Sequence, residues 1–178
     1  MAGLDPWSYA AKTRNEFAEQ VALFMWANMA ANYGPIIAAD PHSYNVAGFA
    51  KTQFEGNGGL GFKRYAAPIP QLKRLFAIKN AGHGDAIRGA QSKAEGVKAG
   101  VPDVMLPVPA RVSVFNAYYH GFFIELKRQK LSDKSEGKPS AEQLDWQAYL
   151  REAGYKAEII VGWELAASTL LDYLGVGA

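Results

Sequence analysis

Cysteine is absent from the 178 residues of this chain. Its absence excludes disulfide scaffolds, thiolate zinc sites and cysteine nucleophiles, and it leaves the redox compartment undetermined. Long apolar runs are also missing, since no stretch approaches the roughly 18–20 residues of a membrane-spanning helix. The N-terminus has neither the basic region nor the apolar stretch that directs secretion. We therefore expect a soluble, cytoplasmic protein that does not contact a membrane.

An excess of one charge sign is also missing overall, although the charges are unevenly placed. The chain has 19 Lys and Arg against 17 Asp and Glu, a net charge of +2. Residues 63–98 carry eight positive and two negative charges, whereas residues 139–178 carry two positive and six negative. A basic stretch in a nearly neutral chain is typical of a surface that faces phosphate. An ordinary solvated face has the same pattern, so both interpretations stay open on charge alone.

Hydrophobic spacing and turn residues predict one mixed α/β domain over residues 1–178, with elements in the order αβαβββαβα. The predicted helices cover residues 14–33, 85–95, 141–153 and 164–174. The predicted strands cover residues 72–79, 104–106, 112–115, 118–127 and 155–161. Ser140 is the expected N-cap of the third helix. Residues 34–71 lack periodicity, which predicts a long loop or an insertion.

Three ionisable residues lie at the ends of predicted strands. Asp103 directly precedes the apolar triplet 104–106, and Glu125 and Lys127 end the strand at 118–127. Alternate strand residues share a face, so Glu125 and Lys127 point the same way. An Asp and a Glu from neighbouring strands suit Mg²⁺ or Mn²⁺, and a lysine beside them can orient a water molecule. A salt bridge at the surface is the competing interpretation of this pattern.

Five separated motifs occur along the chain in a fixed order. They are residues 96–103 (GVKAGVPD), 123–127 (FIELK), 139–143 (PSAEQ), 153–155 (AGY) and 173–174 (YL). Together they resemble the VRR-NUC domain of the virus-type replication–repair nucleases, within the PD-(D/E)XK phosphodiesterase superfamily. The first helix, with 16–20 (EFAEQ) followed by 24–26 (FMW), resembles that of small stand-alone phage members. The resemblance covers about residues 14–33 and 75–174.

The resemblance implies an α/β fold with a PD-(D/E)XK restriction-endonuclease-like core, a central mixed β-sheet flanked by helices. It implies that Asp103 and Glu125 are catalytic ligands of Mg²⁺ or Mn²⁺, with the backbone carbonyl of Leu126 as a further ligand. Lys127 would position or activate the attacking water. Gln143, at the start of the following helix, would line the catalytic site.

The first helix is expected to add one more carboxylate to the site. The resemblance implies Glu16 as an additional catalytic and metal-binding residue, because Glu16 and Gln20 lie four residues apart on one helical face. Glu19, adjacent to Gln20, is the rival candidate. An ordinary exposed helix residue is the alternative for either glutamate.

Basic residues on both sides of the motifs indicate a polyanionic substrate, since phosphate contacts supply most non-specific affinity. The expected DNA contacts are Lys79, Asn80, Arg88, Lys98, Arg128 and Lys130. Base-reading motifs do not stand out, which favours structure-selective cleavage. The family resemblance further implies branched DNA such as a four-way junction as substrate, a symmetric homodimer, and a bacterial or phage-infected cell.

Other functions stay open at this point. A non-catalytic DNA-binding module that assists replication or recombination proteins is the main alternative, and a sequence-specific restriction enzyme is another. The GxGxxG pattern at residues 56–61 lacks the flanking strand and helix of a dinucleotide site, so no nucleotide cofactor is expected. Trp146, Tyr149 and Trp163 are expected in the core or in an interface, and an exposed one can stack on an unpaired base.

Overall fold

The computed structural model describes residues 5–13, 15–41, 67–79, 92, 94–112, 117–130 and 137–176. The chain forms two compact units, Met1–Leu75 and Phe76–Ala178. Several predicted features lie outside the described residues, namely most of the helix at 85–95, most of the strand at 112–115, and the glycine cluster at 56–61. Within the described ranges, no helix combines the length and the apolar character that a membrane crossing requires.

Among its described residues, the first unit contains helices α1 (Pro6–Thr13), α2 (Glu16–Tyr33) and α3 (Pro35–Ala38) with a 3₁₀ helix at Pro70–Arg74. Helix α2 confirms the helix predicted at 14–33. Its N-cap is Asn15, whose side-chain oxygen accepts a hydrogen bond from the Ala18 amide at 2.8 Å. This bond satisfies one of the amide groups left open at a helix start.

The strand predicted at 72–79 is wrong over its first part. Residues 70–74 form the 3₁₀ helix instead, and strand β1 is only Phe76–Ala77. Pro70 stands in the first turn of the 3₁₀ helix, where a missing N–H is tolerated. Leu72 is the buried residue of this turn, while its basic neighbours are exposed. Period-two alternation does not distinguish so short a helical turn from a strand.

The second unit is built on a mixed sheet. Its strands are β1, β2 (Val104–Leu106), β5 (Phe122–Lys127) and β6 (Lys156–Val161). Among the described residues the sheet order is β1-β2-β5-β6, with β5 and β6 parallel and the other pairs antiparallel. Strands β3 (Ala110–Val112) and β4 (Ala117–Tyr119) form a separate hairpin. The expectation of a central mixed sheet is confirmed.

In the described part of this unit, two helices flank the sheet. Helix α4 (Ala141–Glu152) connects the parallel strands β5 and β6, as a parallel connection requires, and helix α5 (Trp163–Leu174) follows β6. Both confirm helices predicted from periodicity. The residues at alternate positions Phe122, Ile124 and Leu126 are fully buried, and the Tyr173 ring of α5 lies 5.1 Å from that of Phe122. Helix α5 therefore covers this face of β5.

The long strand predicted at 118–127 is divided at residues 120–121 into β4 and β5. Gly121 lies against β2, and a Cβ added to it would come within 3.0 Å of the Leu106 carbonyl oxygen. The chain can approach β2 this closely because glycine has no side chain. The backbone bends at His120, directly before this glycine, which the apolar run by itself does not reveal.

Tyr173 connects α5 to the segment after β2, since its hydroxyl donates a 2.6 Å hydrogen bond to the carbonyl of Val108. Burial raises the pKa of Tyr173 from its ordinary value of 10.0 to about 12, with a further contribution from Tyr119. The stabilisation from the protonated phenol is therefore complete below pH 10 and is lost as the pH rises through 12. We expect the free energy of unfolding to fall in this interval, and to fall less in Tyr173→Phe.

Urea unfolding at pH values below 10 and between 10 and 12 measures this fall in the free energy of unfolding. Tyr149→Phe is the matched control, because Tyr149 is 61% exposed on α4. The control should keep the pH slope of the wild type. Equal slopes in the wild type and Tyr173→Phe would contradict the assignment.

Candidate active site

The carboxylate-bearing residues meet where the start of β2 adjoins the end of β5. The antiparallel register of these strands, continued by one residue, places Asp103 opposite Glu125. The Asp103 carboxylate accepts a 3.0 Å hydrogen bond from the backbone N–H of Leu126. The Asp103 carbonyl accepts a 2.7 Å bond from the N–H of Ile78, just after β1. The predicted pair from neighbouring strands therefore lies side by side.

Glu125 and Lys127 form a buried ion pair on the face of β5 opposite the α5 face. The Lys127 Nζ donates to the Glu125 Oε1 at 2.9 Å, and the two side chains are only 5% and 4% exposed. The side-chain amide of Gln143 donates to the same oxygen. The other oxygen, Oε2, is buried and takes part in neither bond. Because both side chains are buried, this pair is not the surface salt bridge of the competing interpretation, and burying it costs desolvation energy.

Gln143 is oriented by the capping of α4. The Ser140 hydroxyl accepts a 3.3 Å bond from the Gln143 backbone N–H, and the Gln143 side-chain oxygen accepts a 2.9 Å bond from the Ser140 N–H. This is a capping box, and it confirms Ser140 as the N-cap. Since the amide oxygen of Gln143 is used at Ser140, its nitrogen is directed to Glu125.

The turn that leads into Asp103 lies against α4. Gly100 has a φ of +80°, and a Cβ added there would come within 2.6 Å of the Glu142 carbonyl carbon. One residue earlier, the carbonyl of Ala99 accepts a 3.0 Å hydrogen bond from the indole N–H of Trp146. Sequence reasoning assigned Trp146 to the core or an interface and missed this contact. The sequence offers only a general signal for this contact, which is that an indole N–H removed from water takes a hydrogen-bond acceptor.

The comparisons with known proteins bear on the fold. Neither a family model nor a curated protein matches the sequence. A solved structure described as a VRR_NUC domain protein matches over 92% of this chain and 90% of that chain, with a TM-score of 0.53 and 18% identity. This chain has the VRR_NUC fold. The finding confirms the fold resemblance read from the five motifs, and the coverage shows that the match is not confined to the sheet.

The donor set at this point of the VRR_NUC fold suits a hard divalent cation. In the part of the chain that the structure describes, no three His, Asp or Glu side chains converge as a metal site. The carboxylates of Asp103 and Glu125 and the carbonyl of Leu126 are the oxygens that would hold such an ion, as predicted from the sequence. Mg²⁺ binds through one or two carboxylates and retains several waters, so a set of this size fits it.

The first helix carries the two glutamates considered as a third carboxylate. Glu16 is exposed in the first turn of α2, whereas Glu19 is buried at 7% exposure. Both belong to the unit Met1–Leu75, while Asp103 and Glu125 belong to the other unit. The role of Glu16 at the metal therefore stays a prediction.

The predicted DNA contacts differ in their surroundings. Lys79 forms an exposed ion pair with Glu95, and Lys98 is exposed directly before the turn that leads to Asp103. Asn80 and Arg88 lie outside the described residues.

Arg128 and Lys130 follow β5 directly. Arg128 is half-buried, and its Nη1 has no hydrogen-bond partner among the described residues. Lys130 is exposed and lines an open cavity of about 590 Å³. The other residues that line this cavity are Gln129, Val161, Glu164, Leu165 and Ser168.

Proposed function

We propose that this chain is a divalent-metal-dependent nuclease that hydrolyses phosphodiester bonds in DNA. The observation that carries the proposal is the buried cluster in which Lys127 and Gln143 both bind one oxygen of Glu125, opposite Asp103. Burying these charged groups is costly, and proteins concentrate such costs at functional sites. The VRR_NUC fold supports the same conclusion.

Each residue of the cluster has a separate role in hydrolysis. Asp103, Glu125 and the Leu126 carbonyl supply the oxygens that hold Mg²⁺ or Mn²⁺. When bound, the ion polarises a phosphoryl oxygen and lowers the pKa of a water molecule. Lys127 Nζ, 2.9 Å from Glu125 Oε1, donates a hydrogen bond to the attacking water or to the phosphoryl oxygens. Gln143 keeps Glu125 in one orientation, as supporting residues do for metal ligands.

The substrate is DNA in this proposal, because positive charge lies on both chain segments next to the site. Lys98 precedes the segment that carries Asp103, and Arg128 and Lys130 follow β5. Such residues neutralise backbone phosphates without reading bases. The family resemblance adds three finer expectations, which are a preference for branched DNA, a homodimer, and Glu16 as a further carboxylate.

Cleavage assays on the full chain test the proposal. Labelled four-way junction, flap, duplex and single-stranded DNA of shared sequence are incubated with Mg²⁺, Mn²⁺ or EDTA. We expect cleavage with either metal, no cleavage with EDTA, and the highest rate on branched DNA. Light scattering after size exclusion should give twice the 19.4 kDa chain mass.

Two results would redirect the proposal. Binding of DNA without cleavage in either metal would favour the non-catalytic module. Cuts at fixed positions in unrelated plasmids would favour a sequence-specific enzyme.

A further inference from the structure

Helix α4 contacts both segments that carry the site carboxylates. Gln143 binds Glu125 of β5 directly. Trp146, about 4.5 Å further along the helix axis, binds the carbonyl of Ala99 four residues before Asp103. Gly100 lies against the main chain of the same helix at Glu142. One helix therefore contacts Glu125 directly and the chain that leads to Asp103.

Asp103 needs this support more than Glu125 does. Glu125 lies within a six-residue strand that is paired on both sides, to β2 and to β6. Asp103 precedes a strand of only three residues, whose other neighbour, β1, has two. The Leu126 and Ile78 amides bind Asp103 itself, and the turn before it places the chain that enters β2; Gly100 of that turn has a φ of +80°.

We infer that Trp146 is a positioning residue that holds the Ala99–Gly100 turn on α4 and thereby sets the distance between the carboxylates of Asp103 and Glu125. The inference rests on the proposed function of this site as a metal centre. Loss of Trp146 should affect the two metals differently, because Mg²⁺ requires near-ideal octahedral geometry whereas Ca²⁺ tolerates irregular sites. A displaced Asp103 therefore weakens the binding of Mg²⁺ more than the binding of Ca²⁺.

Trp146→Phe tests this inference, since it keeps an aromatic ring but removes the indole N–H together with part of the ring volume. Titration calorimetry on the full chain should show about tenfold weaker Mg²⁺ binding, as for other residues that support metal ligands. The change for Ca²⁺ should be smaller. The amide resonance of Leu126, which bonds to the Asp103 carboxylate, should also shift in the metal-free protein.

Ala148→Gly is the matched control, because it weakens the same helix at an exposed position away from the turn. It should lower the melting temperature without shifting the Leu126 amide or changing the ratio of Mg²⁺ to Ca²⁺ affinity. Equal effects of Trp146→Phe and Ala148→Gly would overturn the inference, and so would an unmoved Leu126 amide.

The amide readout also separates this inference from the proposed function. If the wild type binds no Mg²⁺, the proposed metal-dependent function fails. A Leu126 shift in Trp146→Phe alone would still establish the positioning role. Gly100→Ala, which pushes the turn away from α4, should move the same resonance and serves as a second variant.

Discussion

Replacing Asp103 with Asn is expected to lower the rate of metal-dependent DNA cleavage by about 10³-fold, with little loss of folding stability. A catalytic metal contributes several kcal/mol of transition-state stabilisation, and each 1.4 kcal/mol corresponds to about tenfold in rate. Asparagine removes the charge that holds the metal. Its side-chain oxygen still accepts the hydrogen bond that the Leu126 N–H donates to Asp103 at 3.0 Å. The fold therefore keeps this contact.

Single-turnover cleavage with saturating DNA, measured together with urea unfolding, checks this prediction. Asp172→Asn is the control, because this exposed aspartate lies near the end of α5, and that helix packs on the opposite face of β5. The control should cleave at the wild-type rate. Cleavage by Asp103→Asn at a comparable rate would show that Asp103 holds no catalytic metal.

Lys127→Met is expected to affect both stability and catalysis. Removing one partner of a buried ion pair costs about 3–5 kcal/mol, because the remaining charge stays in the interior. Here Glu125, whose side chain is 4% exposed, would lose the Lys127 ammonium while its hydrogen bond from Gln143 remains. Cleavage should fall by about 10²-fold or more, the usual effect of losing a donor to developing charge.

The neighbouring strand offers a matched control for the stability effect. Lys156 and Glu158 on β6 have the same spacing and an N–O distance of 3.4 Å, but their side chains are 21% and 36% exposed. Lys156→Met should cost about 1–2 kcal/mol, because the pair is partly exposed and the Lys156 Nζ also lies 4.8 Å from the centre of the Phe122 ring. Equal losses of unfolding free energy in Lys127→Met and Lys156→Met would show that burial of the ion pair does not set the cost.

A double variant separates folding from chemistry. Lys127→Met combined with Glu125→Gln removes both charges, so no unpaired buried charge remains to destabilise the fold. We expect urea unfolding near the wild-type midpoint and no restored cleavage. Restored cleavage in this variant would show that neither charge is required for the reaction.

Features that depend on nearby residues were predictable from the sequence. Helix α2 follows from apolar spacing, and the start of α4 follows from Ser140, which accepts a hydrogen bond from an amide three residues away. The shared face of Glu125 and Lys127 follows from strand alternation alone. The 3₁₀ helix at residues 70–74 and the break at Gly121 did not follow. The first follows a 3.0 Å hydrogen bond from the Ile69 N–H to the distant Ala30 carbonyl, and the second accompanies the close approach of Gly121 to the Leu106 carbonyl.

The sequence by itself indicated the candidate site residues and determined which elements hold most of them, because periodicity, capping and alternation act over a few positions. Only the tertiary structure decided how these residues meet. Gln143 reaches Glu125 across 18 positions, Leu126 reaches Asp103 across 23, and Trp146 reaches Ala99 across 47. It also decided that the pair of Glu125 and Lys127 is buried. Such contacts depend on the packing of a helix onto a sheet, and no local pattern in the chain encodes that packing.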